Sequence, residues 1–253
     1  MLSIFQLSDL HIWPDPDKVH LGRSPLKQLE AAINEVNKRV CEDKLVILTG
    51  DLTNAPHPDA YRLLAQTLEK LEAPIYVIPG NHDDKSMMDA YLNGKNIFHD
   101  TTIKKNKWRI TLLDSSPPGK IPASGKLVAE ELARLEKLSA NNEEYVLIFL
   151  HHPPILFGST WFRTVCLENR DEFNILVQHN PRIKAVVFGH AHTQYNAYAN
   201  NTLYICAPSI WLQFEHTVND RTAYSNTLGG YNWYELTSDG NLSFGTHYFS
   251  VTY

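Results

Sequence analysis

The sequence contains little cysteine, and its cysteines form no recognisable site. Cys41, Cys166 and Cys206 are widely separated and make no CxxC pair. This arrangement argues against a disulfide framework and against a thiolate-rich structural zinc site. Because an odd number of isolated cysteines is typical of reduced thiols, we expect a cytoplasmic protein.

Long apolar runs and an excess of positive charge are also lacking. No run approaches the ~20 apolar residues of a membrane span. The opening MLSIFQLSDLH lacks the basic and apolar regions of a signal peptide, so it is predicted to be a first strand. Lys and Arg number 23 against 28 Asp and Glu, which gives a net charge of -5. We therefore expect no membrane partner and no nucleic acid partner, because the latter requires a large basic surface.

The chain has no repeats, low-complexity stretches or Gly/Ser linkers, and its 253 residues predict a single domain over 1–253. Up to about residue 200, strand patterns, such as those at 2–7 and 75–78, alternate with helix patterns, which indicates the α/β class. Ser24-Pro25 predicts a helix start, and apolar spacing continues that helix to Val40. From about 200 to 253, short β-like segments are predicted to add strands to one sheet, and they cover 203–206, 210–214, 231–236 and 242–249.

Metal-binding side chains follow almost every predicted strand of the α/β part. Six of the twelve histidines lie at these strand ends, together with aspartates and an asparagine. In chain order these residues are Asp9, His11, Asp51, Asn81, His82, His151, His152, His190 and His192. Because ligands of open α/β sheets bind at the carboxyl ends of the strands, we expect these side chains to meet. A turn or capping role would suit any one of them but does not explain the same choice at successive strand ends.

The residue types constrain the ion that such a site would hold. Asp, His and Asn ligands without thiolate suit Fe or Mn, with Zn possible. So many ligands exceed what a single ion with an open position can use. They suit two divalent or trivalent metal ions about 3.5–4 Å apart that share a carboxylate.

Five short motifs carry a resemblance to a known superfamily. They are D-x-H at Asp9–His11, G-D at Gly50-Asp51, G-N-H-D at Gly80–Asp83, H-H-P-P at His151–Pro154 and G-H-A-H at Gly189–His192. In this order they resemble the calcineurin-like metallophosphoesterase superfamily, and within it the bacterial class III cyclic nucleotide phosphodiesterases. The resemblance implies a four-layer αββα sandwich, in which helices flank two mixed sheets.

The resemblance also implies metal ligands, residue by residue. The first metal ion would be held by Asp9, His11 and His192. The second would be held by Asn81, His151 and His190, with Asp51 bridging the two ions. His82 would not be a ligand but would face the substrate phosphate. The expected catalytic residues are His82 and Asp51. Contacts to substrate would come from His11, Asn81, His82 and His192.

Two further residues of the motifs are expected to play supporting parts. His152 stands beside a ligand and is expected to pack or to support it. Asp83 is expected to orient His82 or to cap the next helix, as carboxylates commonly do for imidazoles.

The implied reaction is hydrolysis of a small phosphodiester, a 3',5'-cyclic nucleotide and foremost cAMP, by a hydroxide that the two ions activate. The alternative is a glycerophosphodiesterase or a broad-specificity phosphodiesterase on the same metal site, because a related branch shares GNHDDK and HHPP. Assembly of identical chains is left open. Loop residues such as His20, Phe157 and Trp161 could stack on a purine or simply pack within their loops.

Overall fold

A computed structural model describes residues 1–117, 123–138, 144–216, 222–225 and 228–251. The helices are α1 (Pro25–Asn37), α2 (Pro58–Leu68), α3 (Lys85–Tyr91), α4 (Ala129–Leu138), α5 (Thr160–Arg163) and α6 (Arg170–Gln178). The strands are β1 (Leu2–Leu7), β2 (Asp43–Thr49), β3 (Ile75–Ile78), β4 (Ile97–Phe98), β5 (Thr102–Lys105), β6 (Trp108–Leu112), β7 (Tyr145–Phe149), β8 (Ile183–Phe188), β9 (Tyr195–Ala199), β10 (Thr202–Cys206), β11 (Gln213–His216), β12 (Thr222–Ser225), β13 (Gly229–Leu236) and β14 (Leu242–Phe249).

Two large sheets form the frame of the fold. The strand order is β14-β13-β1-β2-β3-β4 in the first sheet and β5-β6-β7-β8-β10-β9 in the second. Strands β1 to β4 run parallel, and so do β6, β7, β8 and β10. The other strands of these sheets, β5, β9, β13 and β14, pair antiparallel. The predicted α/β class with two mixed sheets is confirmed.

Alternation along the strands divides the apolar side chains among three layers. In β1, Leu2 and Ile4 pack with residues of the second sheet, whereas Phe5 and Leu7 pack with the helices of the first. Successive side chains of a strand point to opposite faces, so each central strand is apolar on both. Helices α1 to α3 cover the first sheet, and α4 to α6 cover the second. The order helix, sheet, sheet, helix is the expected four-layer sandwich.

The chain after about residue 200 contributes to both large sheets, where the sequence pattern predicts additions to one. Strand β10 pairs with β8 in the second sheet, and β13 pairs with β1 in the first. Strands β11 and β12 form a separate hairpin. A strand pattern does not specify its partner, because the same alternation fits either sheet and only tertiary packing decides between them.

The first helix begins as predicted but ends earlier. Ser24 caps α1, with its side chain accepting from the amide of Lys27 and Pro25 in the first turn. The helix ends at Asn37, and Val40 is fully exposed, so the extension to Val40 is wrong. The apolar spacing that includes Val40 does not reflect packing, because this side chain is fully exposed. None of the helices in the described part of the chain has the length and apolar character that crossing a bilayer requires.

A buried polar network ties the two sheets together near the ends of their central strands. The Gln6 amide of β1 donates to the hydroxyl of Thr49 (2.9 Å) and to the carbonyl of Phe188 in the other sheet (3.0 Å). Its oxygen accepts from the hydroxyl of Tyr234 at 2.7 Å. Every polar group of the Gln6 side chain is therefore satisfied inside an apolar layer, which fixes how the sheets lie on each other.

We expect Gln6→Leu to lower the free energy of unfolding by roughly 1–3 kcal/mol, because the buried Tyr234 hydroxyl loses its acceptor and the Phe188 carbonyl keeps only the amide of Ala207. Urea unfolding followed by circular dichroism measures the change. Gln178→Leu makes the same replacement at an exposed position of α6 and should cost less than about 0.5 kcal/mol. Equal losses in the two variants would contradict a role for the network.

Candidate metal centre

The polar residues that follow the strands lie together at one end of the two sheets. Backbone bonds extend the pairing of β1 and β2 into their loops: Asp9 N donates to Gly50 O at 3.1 Å, and His11 N donates to Asp51 O at 2.9 Å. A direct link joins the sheets, since the amide of His190, after β8, donates to Oδ2 of Asp9 at 3.1 Å. The loops of both sheets therefore form one buried site.

Several residues in these loops share a left-handed backbone. Their φ values are 57° at Asp9, 47° at His11, 50° at Asp51, 67° at His190 and 47° at His192. Non-glycine residues rarely adopt positive φ, and such strain concentrates at functional sites where surrounding contacts hold it in place. Its recurrence in loops of both sheets indicates that they do more than connect the strands.

Two glycines allow the loops to approach one another closely. A Cβ at Gly50, whose φ is +87°, would lie 2.5 Å from Nδ1 of His151. A Cβ at Gly80 would overlap the backbone nitrogen of Asp51. The G-D and G-N-H-D motifs thus begin with glycine because no larger residue fits where their loops meet.

The first cluster consists of Asp9, His11, Asp51 and His192, with one ligand atom of each within 4.8 Å of the others. Nε2 of His11 lies 3.1 Å from Nε2 of His192 and 3.6 Å from Oδ2 of Asp51. Nε2 of His192 lies 3.4 Å from Oδ1 of Asp9. All four side chains are buried, so water cannot fully solvate their polar atoms.

The second cluster forms around Nε2 of His151. This atom lies 3.2 Å from Oδ1 of Asn81 and 3.2 Å from Nδ1 of His190. It also lies 3.3 Å from Oδ1 of Asp51. His152 belongs to the same group by distance, since one ligand atom of each of His151, His152 and His190 lies within 4.8 Å of the others.

Asp51 connects the two clusters. Its Oδ2 atom faces His11 of the first cluster, and its Oδ1 atom faces His151 of the second. The amide of His82 donates to the same Oδ1 at 2.9 Å and helps to hold the carboxylate in place. One carboxylate with an oxygen toward each cluster is the arrangement that a bridging ligand requires.

Backbone carbonyls set the orientation of two clustered imidazoles. Nδ1 of His151 lies 2.7 Å from the carbonyl of Thr49, and Nδ1 of His192 lies 2.7 Å from that of Leu212. A carbonyl can only accept, so Nδ1 must carry the hydrogen and donate it. In the neutral ring this leaves a lone pair on Nε2, the atom that points into the cluster.

The electrostatics of the first cluster keep its carboxylates ionised and His11 neutral. Burial alone would raise the pKa of Asp9 and of Asp51, but the neighbouring imidazoles outweigh it. His192 lowers the pKa of Asp9, and His151 holds the pKa of Asp51 well below its usual range. Burial lowers the pKa of His11 to about 3, against the opposing charge of Asp51. The charge state at neutral pH therefore suits cation binding.

In the second cluster His151 is protonated, whereas His190 is neutral. Burial acts to lower the pKa of His151, but the adjacent Asp51 carboxylate raises it to about 9. Burial lowers the pKa of His190 to about 3. At neutral pH His151 thus donates from Nδ1 to Thr49 and from Nε2 to Asp51.

The donor set of both clusters fits metal ions. Carboxylate oxygens, imidazole nitrogens and an amide oxygen converge, and Nε2 of His11 lies 3.1 Å from Nε2 of His192. Mixed nitrogen and oxygen donors of this kind are typical ligands of Fe, Mn and Zn. The two clusters, joined by Asp51, therefore suit two metal ions.

His82 lies beside the first cluster and outside both groups of converging atoms. Its ring is 4.8 Å from that of His11 and roughly perpendicular to it. Nδ1 of His82 lies 2.7 Å from the carbonyl of Asn54, which fixes the ring and leaves Nε2 available. The side chain is partly exposed, unlike the clustered residues, so it can meet a molecule that enters from solvent.

Asp83 has a different part from either of those expected. The carbonyl of Asn54 orients His82, and Asp84 caps α3 by accepting from the amide of Met87. Asp83 instead binds the loop after β2, because its oxygens accept from the amides of Leu52 (3.0 Å) and Thr53 (3.1 Å). It also accepts from the amide of Gly80 at 2.9 Å and from the hydroxyl of Tyr61 at 3.1 Å. Asp83 thereby locks the Asp51 loop to the Asn81 loop.

His152 packs beside His190 and is held in place by Ser115. Its ring lies 4.8 Å from the ring of His190, and its Nδ1 is 2.8 Å from Oγ of Ser115. The same hydroxyl accepts from the amide of His152 at 3.2 Å. Ser115 thus fixes both the backbone and the ring of His152, which agrees with a packing role near the ligands.

A C-terminal segment completes the site, although the motifs did not reveal it. Oγ of Ser209 donates to the carbonyl of Asp9 at 2.8 Å, and it accepts from the amides of Trp211 and Leu212. Phe214 stacks on the ring of His192 at 4.2 Å with nearly parallel planes. A backbone carbonyl such as that of Leu212 leaves no trace in sequence, so only the fold shows its contribution.

We expect Asp83→Ala to destabilise the protein by roughly 2–4 kcal/mol, because it leaves buried amides of two loops without an acceptor. Metal affinity should fall as well, since Asp51 and Asn81 lose their fixed spacing. Denaturant unfolding without metal and a metal titration measure the two effects.

Asp84→Ala is the matched control at the neighbouring position. It removes the cap of α3 and should cost only about 0.5–2 kcal/mol, with metal affinity preserved. If both variants bind metal like the original protein, Asp83 does not position the ligand loops.

Comparison with known proteins agrees with this geometry. The family described as "Calcineurin-like phosphoesterase" matches residues 2–194. A probable cyclic nucleotide phosphodiesterase of Vesicomyosocius okutanii subsp. Calyptogena okutanii is 34% identical over 97% of this chain and 98% of its own length. The 3',5'-cyclic adenosine monophosphate phosphodiesterase CpdA of Pseudomonas aeruginosa is 28% identical over 96% of this chain and 88% of its own length.

Solved structures show the same fold. A dimetal phosphatase from Danio rerio superposes with a TM-score of 0.63 at 12% identity, covering 88% of this chain and 95% of its own. The resemblance of the five motifs is thereby confirmed, and the chain belongs to the calcineurin-like phosphoesterase family.

Proposed function

We propose that this protein is a dinuclear metal-dependent phosphodiesterase that hydrolyses 3',5'-cyclic nucleotides, with cAMP converted to AMP. The observation that carries the proposal is the position of Asp51, which presents one oxygen to each of two buried ligand clusters. Relatives named as cyclic nucleotide phosphodiesterases align over nearly the whole chain, including the C-terminal segment that completes the site.

Each ion has a defined set of ligands in this proposal. The first ion would be held by Asp9, His11 and His192 and the second by Asn81, His151 and His190, while Asp51 would offer one oxygen to each. This mixture of nitrogen and oxygen ligands suits Fe or Mn, with Zn as a third choice. When bound, the ions supply Lewis acidity that offsets the negative charge of the diester and activates water as the nucleophile.

The residues of the chain then bind and orient the substrate. His11, Asn81, His82 and His192 line the place where the phosphate group would lie. His82 holds a proton for the leaving oxygen, which in a 3',5'-cyclic nucleotide is the ribose O3'. Because an alkoxide leaves poorly, proton donation is worth ~10²–10⁴-fold in rate. The bond from His82 to the Asn54 carbonyl keeps the ring in position for this transfer.

The proposal also includes the location of the protein, its domain organisation and its assembly. The cysteines at 41, 166 and 206 are free, which supports the cytoplasm as the site of action. The apolar layer shared by the two sheets supports a single domain over 1–253. Assembly of identical chains is compatible with exposed aromatic residues such as Trp161 and Tyr198.

The substrate class is tested with the metal-reconstituted protein on cAMP, cGMP, glycerophosphoethanolamine and bis(p-nitrophenyl) phosphate. We expect the highest kcat/KM on a cyclic nucleotide and AMP as the product from cAMP. Faster hydrolysis of glycerophosphoethanolamine than of either cyclic nucleotide would reject the proposal in favour of a glycerophosphodiesterase.

In the same assay, His82→Ala should lower kcat on cAMP by ~10²–10⁴-fold while metal content stays near that of the original protein. The kcat on bis(p-nitrophenyl) phosphate should fall much less, because nitrophenolate is a good leaving group that needs no proton. His179→Ala, at an exposed position after α6, serves as control and should change neither rate. An equal loss on both substrates would show that His82 does not protonate the leaving group.

Metal uptake should depend on pH through His151. The metal-free protein keeps His151 protonated up to a pKa of about 9, yet a ligand must give up its Nε2 proton. As the pH rises toward 9, the metal affinity of the second cluster should therefore increase by up to about tenfold per pH unit. Calorimetry at pH 7 in two buffers of different ionisation enthalpy should detect close to one proton released from His151. Metal binding without proton release would contradict this ligand role.

A further inference from the structure

A continuous run of aromatic rings leads from the first cluster to the protein surface. The ring of Trp211 lies 5.4 Å from that of His11, and the ring of His20 lies 5.7 Å from Trp211. Trp13 follows at 6.1 Å from His20. We call Trp211, His20 and Trp13 the aromatic wall. Trp211 is buried, Trp13 is half-buried and His20 is exposed, so the wall joins the metal centre to solvent.

The loop that carries His20 is held in a defined shape. His20 and Arg23 exchange two backbone hydrogen bonds of 2.9 and 3.1 Å. Between them, Leu21 and Gly22 both have positive φ, at 51° and 76°, as in a tight type I′ hairpin turn. Arg23 also donates from Nη1 to the carbonyl of Trp211 at 3.3 Å. The exposed ring is therefore presented by a hairpin that is tied to the C-terminal segment.

The aromatic wall also contains polar groups that lack a partner. Nε1 of Trp13 and Nε1 of Trp211 are buried and make no hydrogen bond among the described residues. Buried donors are nearly always satisfied, so an acceptor from a bound molecule would fit here. Nζ of Lys18 lies 4.5 Å from the ring centre of Trp13, which adds a positive charge beside the wall. Flat rings, free donors and a cation together suit an anionic nucleotide.

We propose that the aromatic wall is the base-binding subsite of the enzyme, in which the nucleobase stacks on the exposed ring of His20 with Trp211 behind it. This inference rests on the proposed function, because it assigns the part of a cyclic nucleotide that the metal centre does not hold. The base is joined to the phosphate through a single ribose, and His20 is separated from His11 by the single ring of Trp211. A purine is preferred over a pyrimidine because its larger ring stacks over more area.

The neighbouring ligand offers no comparable surface. The ring of His192 is covered by Phe214, which stacks on it at 4.2 Å and is itself in contact with Tyr224. His11, in contrast, has the aromatic wall on one side and His82 at 4.8 Å. The wall thus extends the site from the same ligand that His82 approaches.

The test compares cAMP with its abasic analogue, a ribose 3',5'-cyclic phosphate that carries hydrogen in place of the base. In His20→Ala, the ratio of kcat/KM for cAMP to that for the analogue should fall by about 5- to 150-fold, mainly through KM. This range corresponds to ~1–3 kcal/mol of stacking energy. His20→Phe keeps a flat ring and should retain most of the preference for cAMP. His179→Ala is the control for loss of an exposed imidazole.

The outcomes separate this inference from the proposed function. An unchanged ratio of kcat/KM values in His20→Ala would overturn the subsite. If both kcat/KM values fall equally, the ratio is unchanged and the role of His20 is purely structural. Failure of His20→Phe to retain the preference would also count against stacking. If the original protein hydrolyses the analogue and cAMP with equal kcat/KM, the subsite is rejected while the phosphodiesterase activity stands. If it hydrolyses neither, the proposed function fails and the subsite with it.

Discussion

One carboxylate must serve two ligand clusters at once, and the rest of the structure depends on this constraint. Asp51 faces His11, which follows a strand of the first sheet, and His151, which follows a strand of the second. Each cluster combines side chains from both sheets, so its geometry depends on the distance between the sheets. The apolar layer between the sheets and the Gln6 network fix that distance, so the core of the fold and the geometry of the site cannot vary independently.

The site is held in a conformation that the backbone alone would not choose. Five left-handed residues at the strand ends cost of order 1–3 kcal/mol each in strain. Hydrogen bonds between the loops offset that strain, among them the bond from His11 N to Asp51 O and those that Asp83 accepts. Strained loops on a rigid frame thus hold the clustered side chains close together without an ion.

The segment after residue 194 lies outside the matched family region yet finishes the site. Ser209 binds the Asp9 loop, Leu212 orients His192, and Phe214 covers the ring of that ligand. The motifs supply the clustered side chains, and this segment orients His192 and contributes Trp211 to the aromatic wall.

Local patterns in the sequence predicted the strands at 2–7, 75–78 and 242–249 with the boundaries that the structure shows, because strong alternation or a short buried run decides such elements. The strand predicted at 210–214 instead begins at Gln213, because Ser209 holds the preceding residues in a buried turn. The identity of the clustered side chains was likewise readable, since five motifs place ligand-type residues directly after strands.

Only the tertiary structure decided how those side chains are used. Which sheet receives β10, which oxygen of Asp51 faces which cluster, and which loops Asp83 joins are all set by contacts between segments far apart in the chain. Sequence patterns act over a few residues, whereas these contacts arise from the packing of two sheets and the loops at their ends. The sequence by itself therefore determined the elements and the chemical character of the site, and packing decided its geometry.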